Sequence, residues 1–182
     1  AEPAITGILR GAVKRLGEPV IRAATRHAMR EKGQQFVLGQ TMDDALPRAE
    51  KMEATGYTYS YDMLGEAART DADAIRYHLA YSRAITAISV ACTHKDIRKN
   101  PGISVKLSAL HQRYEYYHEH RVMAELDQSL HELSKHAKEK GIGQTIDTQE
   151  SQRHEIWLDI FERVYLDPPL DYCDRIGVAL TT

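Results

Sequence analysis

The rhythm of hydrophobic and polar positions changes near residue 56 of this 182-residue chain. Before it, the chain reads as helices. Gly17-Glu18-Pro19 is a helix start, with proline in a first turn where its missing N–H is harmless. Gly33 punctuates that helix. Thr41 with Asp44 makes a capping box for a second, TMDDALPRAEKMEATG, in which Pro47 falls near the end of the first turn. After residue 56, short alternating stretches take turns with amphipathic ones. Tyr57, Tyr59, Tyr61 and Met63 share one side of an extended segment, and Thr58, Ser60 and Asp62 share the other. GISVKLSAL, IGQTID and IGVALT read as three more strands.

Helical spacing fills the gaps between them. One helix opens at Thr70, with Asp73 at the capping-box position and Ile75, Leu79, Ile85 and Ile88 along it. The next carries Val122, Leu126, Leu130, Leu133 and Ala137 and ends at Gly141. The last carries Ile156, Trp157, Ile160, Phe161 and Val164 and is stopped by Pro168-Pro169. Strand starts recur roughly every 35 to 45 residues, the spacing of βαβ units in a parallel sheet.

The strand faces decide between two parallel architectures. Ile103, Val105 and Leu107 oppose Ser104, Lys106 and Ser108; Ile142 and Ile146 oppose Gly143, Thr145 and Asp147. In the fourth strand, Ile176, Val178 and Leu180 oppose Gly177, Ala179 and Thr181. An open doubly wound sheet, covered on both sides, tends to be apolar on both faces. One large apolar face and one small or polar face suit a barrel, with helices outside and the small face enclosed. The expected fold is therefore α/β: a helical segment over 1–55, then roughly the first half of a (β/α)8 TIM-type barrel over 56–182. A whole barrel normally takes about 250 residues. The opening alanine and the final strand-like IGVALTT also fit a part of a longer protein.

Composition narrows the chemistry. The 24 Lys and Arg nearly balance 26 Asp and Glu, so no bulk charge draws the chain to nucleic acid or an anionic membrane. No apolar run approaches the roughly 18 residues of a membrane span. Two distant cysteines, Cys92 and Cys173, suggest neither a zinc site nor a disulfide framework, and a reducing cytoplasmic compartment is the default. The histidines lack metal-site spacing and read as solvated helix positions, His131 and His136 among them. Tyr114, Tyr116 and Tyr117 read as packing or loop residues.

Chemistry is expected at the C-terminal strand ends. Asp62, Lys106 and Asp147 all lie on inward faces, and Glu66 follows Asp62 after a glycine turn. A desolvated ammonium costs several kcal/mol unless paired. Carboxylates on neighbouring strands supply partners. The cluster is either an ion-pair network holding strands in register or a mixed-charge site for an amino acid or a polarised cofactor.

The stretches GEPVIR (17–22), QFVLGQT (35–41), YSYDMLGEA (59–67), PGISVKLSAL (101–110) and IDTQES (146–151) resemble, in order and spacing, the proline dehydrogenase domain of the bifunctional bacterial proline utilisation proteins. The resemblance implies an FAD-containing (β/α)8 barrel that oxidises L-proline to pyrroline-5-carboxylate and passes electrons to membrane quinone. It implies a cytoplasmic protein with peripheral membrane contact, sometimes carrying pyrroline-5-carboxylate dehydrogenase activity as well. Lys106 and Asp147 match active-site residues of the second and third strands. Glu66 matches a glutamate that supports substrate-binding arginines. Asp62 matches the first-strand aspartate beside the cofactor, and Thr181 falls near a flavin-contacting glutamine. No metal is implied.

Two departures stand out. Where the family pattern tends to read I-D-A-E-E-S, this chain has Gln149 in place of a carboxylate, and Thr181 stands near the position of the glutamine. The family's carboxylate-binding arginine pair lies beyond this stretch. These departures motivate an alternative, a catalytically inactive barrel kept as an interaction or scaffolding module. Another barrel enzyme, using Lys106 as a Schiff-base former, is a further reading, opposed by the carboxylates that would keep the lysine protonated.

Overall fold

The computed structural model describes residues 17–112, 119–147, 154–170 and 176–179. They fall into two compact units, one reaching Arg48 and one beginning at Ala49.

In the first unit, α1 (Glu18–Phe36) starts after Gly17, whose φ of 75° lies in the left-handed region, and carries proline in its first turn. Gly33 does not interrupt it. An interior glycine costs about 1 kcal/mol relative to alanine, too little to break a helix of 19 residues. The following helix, α2 (Met42–Glu53), spans the boundary between the units. Thr41 Oγ1 accepts from the Asp44 N–H at 3.3 Å and donates to Asp44 Oδ2 at 2.9 Å. Thr41 thus caps the helix, while the carboxylate takes its hydroxyl. Pro47 lies inside α2.

The second unit alternates strand and helix: β1 (Ser60–Asp62), α3 (Asp71–Ile88), β2 (Gly102–Lys106), the single turn α4 (Leu107–Leu110), α5 (Glu119–Glu139), β3 (Gly143–Asp147), α6 (His154–Tyr165) and β4 (Ile176–Ala179). The strands form one parallel sheet in the order β1-β2-β3-β4. Because crossovers share one hand, an order without reversal places every connecting helix on the same side. This is the pattern of part of a TIM-type barrel, as expected.

Burial follows the face assignment. Ile103, Val105 and Ile146 are inaccessible under the helix layer, as are Val122, Leu126, Leu130, Leu133 and Ala137 of α5 and Ile160 and Val164 of α6. On the opposite face, register brings Ser60, Gly102 and Gly143 to one level and Asp62, Ser104, Thr145 and Gly177 to the next. A Cβ on Gly102 would lie 3.0 Å from the Gly143 carbonyl oxygen, so a side chain on β2 at the lowest level would be crowded by the neighbouring backbone.

Several expectations need correction. β1 begins at Ser60, and of Tyr57, Tyr59 and Tyr61 only Tyr61 is buried; Tyr57 is largely exposed. β2 ends at Lys106, because Leu107 and Leu110, three residues apart, bury together when the chain turns helical. Gln144 shares the helix-covered face of β3 with Ile146 and is fully buried, a polar side chain in a row otherwise apolar. On α3 the buried stripe is Tyr81, Ala84, Ile85 and Ile88, while Ile75 and Leu79 face outward.

The expected ends of α3 and α5 are observed. Thr70 Oγ1 accepts from the Asp73 N–H and Asp73 Oδ2 from the Thr70 N–H, both at 3.1 Å, a reciprocal capping box. Gly141, with φ 70°, reverses the chain after α5, and the Ile142 N–H closes on the Ala137 carbonyl. Asn100, buried in the loop before β2, donates to the carbonyls of His94 and Gly141 and joins two connections. Thr70→Ala is expected to lower stability by about 1 kcal/mol, read as an earlier denaturant midpoint with unchanged slope. An unchanged midpoint would show that tertiary packing alone starts α3.

Candidate active site

Parallel register sets the site. Lys106 pairs with Asp147 and Asp147 with Ala179, so these three form the uppermost level of the small face, one step above Asp62. Asp62, Lys106 and Asp147 are each the last residue of their strand. The Lys106 ammonium is 3.4 Å from Asp62 Oδ2, 3.5 Å from Glu66 Oε2 and 3.9 Å from Asp147 Oδ2. Four residues expected to share a site are thus brought together. Thr181, like Gln149, lies outside the described residues.

The loop after β1 is held in an unusual conformation to deliver Glu66. Gly65 has φ 139° and Ala67 φ 53°, and a Cβ on Gly65 would collide with the Tyr77 ring. Ser108 secures the loop from α4: its hydroxyl accepts from the Ala67 N–H at 3.4 Å and its carbonyl from the Ala68 N–H at 2.8 Å. Sequence alternation had put Ser108 on the inward strand face. Its real position follows from the helical turn, which strand periodicity does not reveal.

Charge is unevenly distributed. Lys106 and Asp147 are nearly buried, with side chains 9% exposed, whereas those of Asp62 and Glu66 are 47% and 57% exposed. Three carboxylates around one ammonium leave a formal excess of two negative charges when all are ionised. Burial pushes the Asp147 carboxyl above its ordinary range; Lys106 pulls it back, and the charges of Asp62 and Glu66 push it further up. Asp147 Oδ1 is buried without a hydrogen-bond partner among the described residues. Behind the cluster, the Tyr81 phenol accepts the Lys106 backbone N–H at 3.2 Å. Its own pKa is pushed up to about 12 by burial, with the charges of Asp62, Asp147 and Glu66 adding to the shift. Tyr81 was not singled out from sequence, although its place four residues before Ile85 marks the core face.

The histidines are not simply solvated. His136 bonds Ser82 and Thr86 of α3 at 3.2 and 3.3 Å, and His131 lies 3.2 Å from Asp167. His78 of α3 lies 3.6 Å from Glu132 of α5. These contacts tie α5 to α3 and to the loop after α6; among the described residues no group of His, Cys, Asp and Glu is arranged to hold a metal ion.

Comparison with known proteins places these residues in context. The family model described as "Proline dehydrogenase" matches residues 45–182. "Bifunctional protein PutA" of Escherichia coli is 45% identical over 179 residues, which is 98% of this chain and 14% of that protein. The protein of the same name from Rhizobium meliloti is 44% identical, over 92% of this chain and 13% of its own length. Among solved structures, Bradyrhizobium japonicum proline utilization A superposes with a TM-score of 0.72 at 46% identity, covering 93% of this chain and 17% of the other. Proline utilization A from Bdellovibrio bacteriovorus reaches 0.78 at 20% identity, a likeness of fold. The chain therefore spans about a seventh of the length of its curated relatives.

Two expectations follow from the geometry. Gly65→Ala, which adds a Cβ against Tyr77 at positive φ, is expected to destabilise the fold by about 1–3 kcal/mol; an unaltered unfolding midpoint would show that the loop relaxes freely. For Asp147 the folded state holds its proton more tightly than the unfolded chain. Its stabilising contribution is complete below 3.8, the ordinary aspartate value, and is lost as pH rises through the higher folded-state pKa. Asp147→Asn should remove that dependence, as measured by denaturation at a series of pH values. Parallel pH profiles for the two proteins would show that burial does not raise this carboxyl.

Proposed function

The chain belongs to the proline dehydrogenase family, and from that premise we propose that the protein carrying it oxidises L-proline to pyrroline-5-carboxylate, with FAD as cofactor and membrane quinone as the final electron acceptor. The observation that carries this reading is the Lys106 ammonium held 3.4–3.9 Å from three carboxylates at the C-terminal ends of parallel strands. Residues 56–182 serve as the first four β/α units of the catalytic barrel, and 1–55 lead into it.

The residues present fit a flavin and an amino-acid substrate. Glycines 102, 143 and 177, with Ser104 and Thr145, keep the inner face shallow below the charged level. The unpartnered Asp147 Oδ1 leaves an acceptor for a donor brought by a ligand. When bound, FAD would supply the two-electron (hydride) acceptor that oxidation of the proline C5–N bond to C=N requires, the nitrogen giving up a proton. Lys106 supplies a fixed positive charge at the cofactor and substrate, oriented by Asp62 from below and Asp147 from the side. Glu66, the most exposed of the three acids, is placed to steady the arginines that the family resemblance assigns to the substrate carboxylate. Asp62 and Thr181 are assigned to the cofactor side. Among the described residues no helix is long and apolar enough to cross a membrane; the family resemblance implies a cytoplasmic protein that meets its quinone by peripheral membrane contact.

The direct test is an absorbance spectrum of the complete protein before and after anaerobic L-proline. Flavin bands near about 380 and 450 nm that bleach on addition support the reading; bands that persist would mean a different substrate, and their absence a scaffold. Lys106→Ala and Asp147→Ala are each expected to cut proline oxidation by about tenfold or more with the fold retained. Wild-type rates in both would reduce the cluster to a structural ion-pair network.

A further inference from the structure

Tyr81 is 1% exposed and lies on the core face of α3 with Ala84, Ile85 and Ile88, one side of a helix otherwise packed through apolar groups. A phenol in that position needs a partner, and among the described residues it has the backbone N–H of Lys106, 3.2 Å away and itself buried. Lys106 is where the chain changes from strand to helical turn. Its backbone is extended, at φ −93° and ψ 122°, and no side chain caps the turn that follows. The tyrosine therefore grips the chain at the joint from which the lysine stem projects.

That grip matters because the ammonium contacts are long. At 3.4, 3.5 and 3.9 Å, no single carboxylate holds Nζ as tightly as a charge-assisted bond of about 2.8 Å would. The centring of Nζ among three acids depends on where its backbone sits. Burial and the three nearby negative charges outweigh the Lys106 N–H bond, which favours the ionised form, so the acceptor stays a neutral phenol through the ordinary pH range.

We propose that Tyr81 is a positioning residue for the Lys106 centre, its buried phenol holding the strand end so that the ammonium stays placed among Asp62, Glu66 and Asp147. The role in turnover rests on the proline-oxidation reading; the placement of Lys106 does not.

Tyr81→Phe in the complete protein keeps the ring and removes the oxygen. The expected result is a fall in kcat for proline of about tenfold with little change in KM. Lys106 should also react severalfold faster with an amine-acylating reagent, quantified at its own peptide by mass spectrometry. Ile85→Val, four residues along the same buried face, is the packing control and should change stability without either effect. Lys106 labelling in Tyr81→Phe no faster than in Ile85→Val would overturn the proposal. The labelling is read without turnover, so a protein inert toward proline would refute the functional reading while the labelling comparison still decided the role of Tyr81.

Discussion

A nearly buried ammonium must be surrounded by negative charge, and most of the site follows from that requirement at Lys106. Desolvation of the charge costs several kcal/mol, and β1, the loop after it and β3 each contribute a carboxylate within 4 Å. Parallel register makes the arrangement possible. Asp147 lies directly beside the lysine and Asp62 one level below, so the side chain can reach both without leaving the inner face. The acids then constrain one another: Asp147, the least exposed, is driven toward its protonated form by burial, and only Lys106 opposes this.

The two faces of the sheet divide the work. Under the helices, Ile103, Val105 and Ile146 bury fully and supply the apolar driving force. On the other face, glycines and small polar residues keep the strands close and leave the upper level to charge. The joints between strand and loop are secured individually. Ser108 ties the β1 loop to the turn after β2, Asn100 ties the loop before β2 to the turn before β3, and Tyr81 ties α3 to the end of β2. Each tie joins segments twenty or more residues apart, and two of the three border a residue of the charged cluster.

Gln144 has no such account. It is buried on the helix-covered face of β3, and both its side-chain polar atoms lack partners among the described residues. Nothing in the structure explains why a glutamine stands there.

The division between sequence and tertiary structure falls along the range of the forces involved. Period-two alternation, glycine and proline stops and capping residues act over a few positions. They were sufficient to locate four strands, the Thr70 cap, the Gly141 turn and an inward face bearing Asp62, Lys106 and Asp147. The same local rules failed where a competing local pattern was present. LSAL alternates like a strand but buries Leu107 and Leu110 as a helical turn, and Gly33 looks like a stop but lies within a continuous helix. Distances belong to the other category. That Lys106 meets Asp62, Glu66 and Asp147 together, that Ser108 serves the loop before it, and that the Tyr81 phenol reaches the lysine backbone were decided by sheet register and helix packing, because these contacts join residues whose separation along the chain carries no periodic signal.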